Sequence, residues 1–258
     1  MSANWPPLDT HAHIDVTIPP IELLNLRAVI FAASRSLEES RRALERQPKD
    51  LLTIWGLGVH PGVREALDSF EPDAFCALLG RTAYVGEIGL DGKVKSRIGQ
   101  QREVLASALK LLQEQPRMTS VHSYAATKEV VEELSRTPIQ GAILHWWLGD
   151  RATTELALDL GAYFSVNASC LRRIEVLDVI PLDRLLLETD HPDGNRLSRQ
   201  PRRPGNLEDV ESVLADRYGV NHASFRETIW QNLAKLISDT ACGHLLPPRV
   251  CSILEATR

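Results

Sequence analysis

The stretch LDTHAHID, residues 8–15, contains two histidines one residue apart, His11 and His13, between two acids. On a β-strand, residues i and i+2 point to the same face, so both imidazoles can reach one cation. The alternative is a half-buried strand that happens to be rich in histidine, which is the commoner meaning of an isolated His-x-His. The rest of the chain has to decide between the two interpretations.

Short apolar runs recur along the chain, and stretches with helical texture separate them. The predicted strands cover 8–14, 27–34, 51–60, 83–90, 119–123, 142–147, 163–166 and 184–189. The predicted helices cover 36–47, 101–115, 128–134, 152–161, 206–219 and 224–237. Strands that alternate with helices pair in parallel through crossovers.

Eight such units predict an α/β fold of the (β/α)₈ TIM-barrel type, formed by residues 1–258 as a single domain. An open doubly wound sheet is the alternative. No G-x-G-x-x-G sequence follows the first strand, however, and that motif is the main sign of the open form. The barrel is therefore favoured, with its active site at the C-terminal rim of the strands.

The composition is that of a globular protein, because 43% of the 258 residues are hydrophobic and 24% are charged. The formal net charge of -5 argues against a protein coated with nucleic acid, although it is compatible with a local basic site. No apolar run reaches the roughly 20 residues that cross a bilayer, and the N-terminus has no secretory pattern. The four cysteines form no Cys-x-x-Cys pair. We therefore expect reduced thiols, a cytoplasmic location and no membrane partner.

Side chains with metal-binding chemistry follow many of the predicted strands. These residues are His11, His13, His60, Glu87, Asp91, His122, His145, Glu188 and Asp190. In a barrel, the C-terminal ends of the strands meet at one rim, so these scattered residues are expected to converge. Each alone is a weak indication, since a lone histidine after an apolar run is more often a hydrogen-bonded core residue. The prediction of a metal site therefore depends on their convergence at one rim.

Two acids stand out within this set. Glu87 lies in an apolar strand between Gly86 and Gly89, where an unpaired carboxylate is costly and where glycines allow close approach. A carboxylate that bridges two cations explains both features, and a salt-bridged core glutamate is the alternative. Asp190 follows three leucines in LLLETDHP, residues 185–192. That position indicates a metal ligand or general base, or else an aspartate that caps a turn.

The ligand chemistry favours two divalent cations. Histidine, glutamate and aspartate donors without cysteine suit Zn²⁺, Mn²⁺ or Mg²⁺. The predicted ligands are His11, His13, Glu87, His122, His145 and Asp190, which is more than one catalytic zinc needs. Two cations about 3.5–4 Å apart, bridged by Glu87, would activate water and neutralise the negative charge on a phosphodiester. Asp9 and Asp15 are interpreted as supporting or turn residues.

Six motifs follow one another along the chain: DTHAHID (9–15), GVHP (58–61), VGEIGLDG (85–92), VHS (121–123), LHW (144–146) and ETDHP (188–192). They resemble, in the same order, those of the TatD family of metal-dependent hydrolases, within the amidohydrolase-like barrels. The resemblance covers almost the whole chain. It implies a (β/α)₈ barrel and a metal-dependent deoxyribonuclease, often exonucleolytic and 3′–5′.

The resemblance also implies roles for individual residues. One ion is expected to bind His11, His13, Glu87 and Asp190, and the second Glu87, His122 and His145. Asp190, Glu87 and His60 are expected to be catalytic, with Asp190 orienting or deprotonating the attacking water. His60, from the GVHP motif, is expected to contact the scissile phosphate rather than a metal.

The sequence departs from the family pattern around the substrate. Family members often carry Tyr or Arg after the Gly-Leu-Asp motif and Arg after the His-Ser pair, whereas this chain has Gly92, Lys93 and Tyr124. His191 is unusual between an aspartate and a proline. The Gly-Leu-Asp-Gly and Leu-His-Trp features resemble TatD-like nucleases that accompany bacterial anti-phage systems, which implies protein partners in a defence complex.

Basic and aromatic residues indicate a DNA substrate. The loop NRLSRQPRRPGN, residues 195–206, carries four arginines that would contact phosphates if they face the rim. Trp146 and Trp147 would offer a stacking face, although at least one is expected in the core. The predicted substrate contacts are His60, Arg202, Arg203, Trp146 and His191. We therefore predict an exonuclease that acts on single-stranded or frayed DNA ends.

Two other functions remain open at this point. One is an amide, lactone or ester hydrolase with the same site, and the other is a partner subunit whose metal site is structural. The intact set of six ligands speaks against the second, since structural sites are closed and need fewer residues. The sequence leaves the oligomeric state open.

Overall fold

The computed structural model describes residues 5–46 and 50–256, apart from the side chain of residue 174. Within this part of the chain the strands are β1 (Leu8–Ala12), β2 (Val29–Ala32), β3 (Thr53–Trp55), β4 (Tyr84–Gly89), β5 (Met118–His122), β6 (Ala142–Leu144), β7 (Tyr163–Val166) and β8 (Leu185–Leu187). The helices are α1 (Pro20–Asn25), α2 (Leu37–Arg46), α3 (Arg64–Asp68), α4 (Pro72–Leu79), α5 (Ile98–Glu114), α6 (Thr127–Arg136), α7 (Arg151–Asp159), α8 (Glu208–Tyr218), α9 (His222–Thr240) and α10 (Pro248–Glu255).

Every predicted strand is present, but most are shorter than predicted. The run 51–60, for example, contributes only Thr53–Trp55 to the sheet, and the run 142–147 contributes only Ala142–Leu144. The residues that follow these strands lie outside the sheet, in loops that carry polar side chains. The apolar runs therefore predicted the positions of the strands correctly but overestimated the length of most of them.

All six predicted helices are present as well, whereas α1, α3, α4 and α10 were not predicted. The four missed helices have eight residues or fewer, too few for a repeating apolar face to be read reliably. Position 47, the predicted end of α2, lies outside the described residues, as do 1–4, 48–49 and 257–258. The assignment of 1–258 to one domain stays a prediction.

The strands form two parallel sheets, in the order β1-β2-β3 and β4-β5-β6-β7-β8. Leu57, just after β3, makes a parallel bridge with Val85 of the second sheet. At the other margin, the Asp190 N–H donates to the His11 carbonyl (2.8 Å), and the His13 N–H donates to the His191 carbonyl (3.0 Å). The predicted α/β fold with parallel strands is confirmed. These contacts bring the chain beyond β8 next to β1.

The helices cover the sheets through apolar faces. On α5, the predicted face is buried at Val104, Leu105, Ala108 and Leu112, with Leu111 partly buried against the core. Burying a leucine side chain contributes about 1.5–3 kcal/mol, so such faces hold the helices in place. None of the helices in the described part of the chain combines the length and apolarity required to span a bilayer.

Candidate metal centre

Glu87 lies at the centre of a cluster of histidines, and its side chain is almost fully buried. Its Oε1 lies 3.0 Å from Nε2 of His13 and 3.3 Å from Nε2 of His60. Its Oε2 lies 2.9 Å from Nδ1 of His122 and 2.8 Å from Nε2 of His145. The two oxygens of one carboxylate therefore face two different groups of imidazoles.

Asp190 and His11 complete the first of these groups. Oδ1 of Asp190 lies 3.7 Å from Nε2 of both His11 and His13. Nε2 of His11 also lies 3.8 Å from Oε1 of Glu87. All six predicted metal ligands thus come together, although β1, β4, β5, β6 and β8 or the residues after them supply the side chains.

Neighbouring strands fix the backbone of Glu87. Its N–H donates to the Ser34 carbonyl (3.3 Å), and its carbonyl accepts from the Val59 N–H (2.8 Å). A Cβ on Gly58 would lie 1.8 Å from the Ser34 oxygen and 2.7 Å from the Glu87 nitrogen. Only glycine allows the two segments to approach so closely, which explains why the GVHP motif begins with Gly58.

Hydrogen-bond partners set the tautomers of two histidines differently. Nδ1 of His13 lies 3.3 Å from the Ala33 carbonyl, which only accepts, so Nδ1 carries the proton and the Nε2 lone pair is free for a metal. Nδ1 of His60 accepts from the Gly62 N–H (2.9 Å), so the proton of a neutral ring sits on Nε2. His13 is therefore oriented as a ligand, and His60 as a donor.

A buried carboxylate lies behind His145. Glu188 accepts hydrogen bonds from the Ser165 hydroxyl, the Asn167 amide (3.0 Å) and the Trp146 backbone N–H (2.9 Å). Its Oε1 lies 3.7 Å from Nδ1 of His145, on the side of the ring opposite to Glu87. A carboxylate in this place orients a ligating imidazole and favours the Nδ1–H tautomer.

Nδ1 of His11 is also supported from behind. It lies 2.6 Å from the Ser120 hydroxyl and 3.1 Å from the Tyr84 hydroxyl. The Tyr84 hydroxyl also donates to the Thr10 carbonyl (3.1 Å), so the ring is tied to β1 and β4 together. These partners fix the direction of Nε2 toward Glu87 and Asp190.

Burial and neighbouring charges shift the pKa values of the site residues in different directions. Burial raises the pKa of Asp190 to about 7, whereas it lowers the pKa of His60 to about 4 and that of His11 well below its usual value. Burial acts to raise the pKa of Glu87, but the neighbouring histidines, His60 foremost, hold it well below its usual range. For His145, burial acts to lower the pKa, but Glu87 and Glu188 together hold it well above its usual value.

The donor atoms fit divalent cations. Among the described residues, buried side-chain atoms without a hydrogen-bond partner include His11 Nε2 and Glu87 Oε1, which lie 3.8 Å apart in this cluster. Orphaned buried polar atoms are costly, and their concentration in one place indicates a ligand that satisfies them. Three sets of donor atoms lie within 4.8 Å of one another: His11, His145 and Asp190; His11, His13 and Glu87; and His60, Glu87 and His122.

A cavity of about 620 Å³ adjoins the cluster. Its wall includes Glu87 and Asp190, and it also carries the cationic residues Arg35, Lys93 and Arg196. The aromatic residues Tyr124 and Trp146 line it as well. The cavity thus combines metal-ligating groups with positive charge and stacking surface.

The predicted substrate residues fall into different places. Trp146 lines the cavity, whereas Trp147 is buried and donates from Nε1 to the Thr154 hydroxyl (2.8 Å), as expected for a core tryptophan. His191 is not part of the cavity wall, and its Nδ1 lies 3.3 Å from the Asn195 amide nitrogen. Its role as a substrate contact stays a prediction.

The arginines of the 195–206 loop are also divided. Arg196 lines the cavity and pairs with Asp193 at 2.9 Å. Arg202 and Arg203 are exposed outside the cavity wall, and Arg202 donates to the Arg196 carbonyl (3.1 Å). Their contacts with a substrate stay predictions.

Several residues of the site were not assigned a role from the sequence. They are Arg35, Lys93 and Tyr124 on the cavity wall, and Ser120, Ser165 and Asn167 behind the histidines. The three wall residues directly follow β2, β4 and β5, so proximity to a strand end was the available signal. The supporting residues look like ordinary strand polar groups, and only their contacts reveal them.

A protein-family model described as TatD related DNase matches residues 8–238. The chain belongs to this family. YjjV of Escherichia coli K12, named an uncharacterized metal-dependent hydrolase, is 29% identical over 233 residues, which are 81% of this chain and 89% of YjjV. The crystal structure of E. coli YjjV, described as a TatD homolog, superposes with a TM-score of 0.79 at 25% identity and covers 92% of this chain and 98% of that one.

A third relative carries a more specific name. The 3′-5′ ssDNA/RNA exonuclease TatD of Klebsiella pneumoniae (strain 342) is 31% identical over 169 residues, which are 61% of this chain and 64% of that protein. The family assignment confirms the predicted resemblance. Together with the candidate cation clusters, it makes this chain a metal-dependent hydrolase of the TatD family.

Proposed function

We propose that this TatD family member is a divalent-metal-dependent phosphodiester hydrolase, a DNA exonuclease that acts on single-stranded or frayed ends. The observation that carries the proposal is the carboxylate of Glu87, whose two oxygens face two separate groups of histidines. Such an arrangement suits two cations bridged by one carboxylate. The adjoining cavity supplies positive charge for a polyanionic substrate.

The ligand sets follow from the donor atoms. His11, His13, Glu87 and Asp190 would hold one cation, and Glu87, His122 and His145 would hold the other. Divalent cations bound there would supply Lewis-acid activation of water and neutralise charge on the phosphodiester. The protonated Nδ1 of His13 and the carboxylate behind His145 orient these ligands.

Asp190 is the proton acceptor in this proposal. Its carboxylate lies beside the first group of histidines and lines the cavity. A carboxylate within hydrogen-bond reach of a water can accept its proton. The side chain would orient the attacking water and accept its proton as the new P–O bond forms, while the P–O bond to the rest of the strand breaks and the leaving oxygen takes up a proton from solvent.

His60 contacts the scissile phosphate. Its ring lines the cavity, and the Gly62 N–H that donates to Nδ1 leaves the proton on Nε2. A protonated Nε2 donates a hydrogen bond to a phosphate oxygen and has no lone pair for a metal. The tautomer therefore supports the role expected from the GVHP motif, although Nε2 also lies close to Glu87.

The candidate metal ligands lie within or after β1, β4, β5, β6 and β8, and we propose that the two sheets close into one (β/α)₈ barrel with the active site at the C-terminal rim of its strands. The bridge between Leu57 and Val85 and the hydrogen bonds of Asp190 and His13 across the other margin support closure. The proposed 3′–5′ polarity is supported by the name of the Klebsiella relative. Protein partners in an anti-phage complex stay a prediction, because they rest on two short sequence stretches.

The test is metal-depleted protein, reloaded with Mg²⁺, Mn²⁺ or Zn²⁺ and incubated with end-labelled single- and double-stranded oligonucleotides. We expect stepwise shortening from the 3′ end, faster on single strands, with Asp190→Asn inactive although folded. Hydrolysis of amide, lactone or ester substrates without shortening of oligonucleotides would support the rival hydrolase instead. Cleavage of closed circular DNA without degradation of linear single strands would also contradict the proposal.

A further inference from the structure

Lys93 and Tyr124 form a pair on the wall of the cavity. Nζ of Lys93 lies 4.5 Å from the centroid of the Tyr124 ring, which is a cation–π distance. Both side chains line the same cavity as Glu87, and Tyr124 is 42% exposed. Neither residue belongs to the candidate cation clusters.

The backbone holds this pair in place. The Gly92 N–H donates to the Tyr124 carbonyl at 2.8 Å, which joins the loops after β4 and β5. A Cβ on Gly92 would lie 2.1 Å from the Ala125 carbonyl oxygen, so only glycine permits the close approach. The joined loops carry Lys93 and Tyr124 next to the candidate ligand His122.

The two side chains offer complementary chemistry to a nucleotide. The aromatic ring has two faces, and the ammonium of Lys93 lies over one of them. The other face can stack on a base without regard to its identity. The main partner of the Lys93 ammonium is the Tyr124 side chain, which raises the pKa of Lys93 together with a smaller contribution from Asp91, so the lysine stays charged and can contact a phosphate. Arg196 differs in this respect, because Asp193 neutralises it.

We propose that Lys93 and Tyr124 form a subsite for the nucleotide next to the scissile bond. The base stacks on the free face of Tyr124, and the phosphate of the same nucleotide lies beside the Lys93 ammonium. Stacking on a side chain requires a base that has left its duplex, so the subsite selects single-stranded or frayed ends. This inference rests on the proposed nuclease function and identifies the nucleotide of the substrate that Lys93 and Tyr124 bind.

The experiment compares two substrates in the wild type and in Tyr124→Ala and Lys93→Ala. One substrate is a single-stranded oligonucleotide, and the other is bis(p-nitrophenyl) phosphate, a diester without a base. We expect the ratio of kcat/KM for the oligonucleotide to kcat/KM for the small diester to fall about 10-fold in each variant, through KM. Tyr124→Phe and Lys93→Arg, which keep the ring and the charge, should retain the wild-type ratio.

A binding measurement gives a second readout that does not depend on turnover. Fluorescence anisotropy of a labelled oligonucleotide with metal-depleted protein in EDTA should show Kd raised about 10-fold in Tyr124→Ala. Lys128→Ala is the matched control, because Lys128 is an exposed lysine on α6 that pairs with Asp150 outside the cavity. Circular dichroism and thermal melting of each variant report on folding.

The outcomes distinguish failure of the Lys93–Tyr124 subsite from failure of the proposed nuclease function. If the wild type shortens oligonucleotides and Tyr124→Ala does so with the same ratio and the same Kd, the subsite is refuted and the nuclease proposal stands. An equal loss on both substrates would also refute it, because the pair would then only support the metal site. If the wild type hydrolyses the small diester but no oligonucleotide, both proposals fail.

Discussion

Asp9 accepts a hydrogen bond from the backbone N–H of Gly205, at 2.8 Å, across 196 positions of sequence. The same carboxylate accepts from the N–H (2.8 Å) and the hydroxyl (2.6 Å) of Thr189. One buried side chain of β1 therefore holds both the residue before Asp190 and the end of the arginine-rich loop. The Asp15 carboxylate, at the other end of the opening motif, accepts from the N–H and the hydroxyl of Thr17 in an exposed turn.

The two aspartates give a matched pair of variants. Asp9→Asn should lower the free energy of unfolding by about 1.5–3 kcal/mol, because an amide nitrogen replaces one of two oxygens that accept from buried donors. Asp15→Asn should change it by less than about 0.5 kcal/mol. Urea unfolding of the metal-free proteins measures both. Equal stability of the two variants would show that the hydrogen bonds of Asp9 to Thr189 and Gly205 do not stabilise the fold.

Glu188→Gln should weaken metal binding. The carboxylate behind His145 fixes the ring and stabilises its Nδ1–H, and loss of such a partner costs about 10–100-fold in metal affinity. Titration calorimetry with Mn²⁺ measures the effect. Glu211→Gln is the control, because Glu211 of α8 is similarly buried but pairs with Arg226 of α9, and neither residue lines the cavity. The expectation fails if both variants bind the metal with the same affinity.

The arginines should differ in their effect on DNA binding. Arg35 and Arg196 line the cavity, whereas Arg202 and Arg203 are exposed outside it. Arg35→Ala is expected to reduce the slope of log K against log salt by about 0.7 for a single-stranded oligonucleotide, as the loss of one phosphate contact requires. Anisotropy titrations at several salt concentrations measure the slope. A larger effect of Arg202→Ala and Arg203→Ala would favour the contacts expected from the sequence.

The convergence of the metal ligands could be predicted because it follows from topology. In a parallel α/β fold, every strand ends at the same edge, so a polar residue after an apolar run is placed there whatever its distance in sequence. His11 and Asp190 are the clearest example, with Nε2 and Oδ1 only 3.7 Å apart. The alternation of strands and helices was sufficient for this step.

The remaining features depend on contacts that sequence does not encode locally. The pairing of Lys93 with Tyr124 requires the hydrogen bond between two loops at Gly92, and the tautomer of His60 requires the N–H of Gly62. A cluster of arginines in a loop indicates positive charge but not the direction of each side chain. Composition therefore predicted a basic rim and could not separate Arg196 from Arg202.

Tyr218 gives a prediction for alkaline pH. Its hydroxyl donates to the Ile180 carbonyl (2.8 Å), and burial raises its pKa from 10 to about 12. Between these values the unfolded chain loses the phenol proton and the folded chain keeps it, so stability falls as the pH rises from 10 to 12. Relative to Tyr218→Phe, the wild type should lose on the order of 2 kcal/mol over this interval. Urea unfolding at pH 10 and pH 12 tests the difference, and parallel losses would contradict it.

Glu87→Gln should impair both cation sites, whereas His122→Asn should impair only one. Oε1 of Glu87 faces His13, and Oε2 faces His122 and His145, so one substitution removes negative charge from both groups of donors. His122 lies near Oε2 alone, so its loss should leave the first group intact. The proteins are loaded with Mn²⁺ or Zn²⁺ and passed through gel filtration, and mass spectrometry then counts the metal ions retained per chain. We expect the highest number in the wild type, one fewer in His122→Asn and the lowest number in Glu87→Gln. If Glu87→Gln and His122→Asn retain the same number of equivalents, Glu87 serves a single cation and the bridging role is excluded.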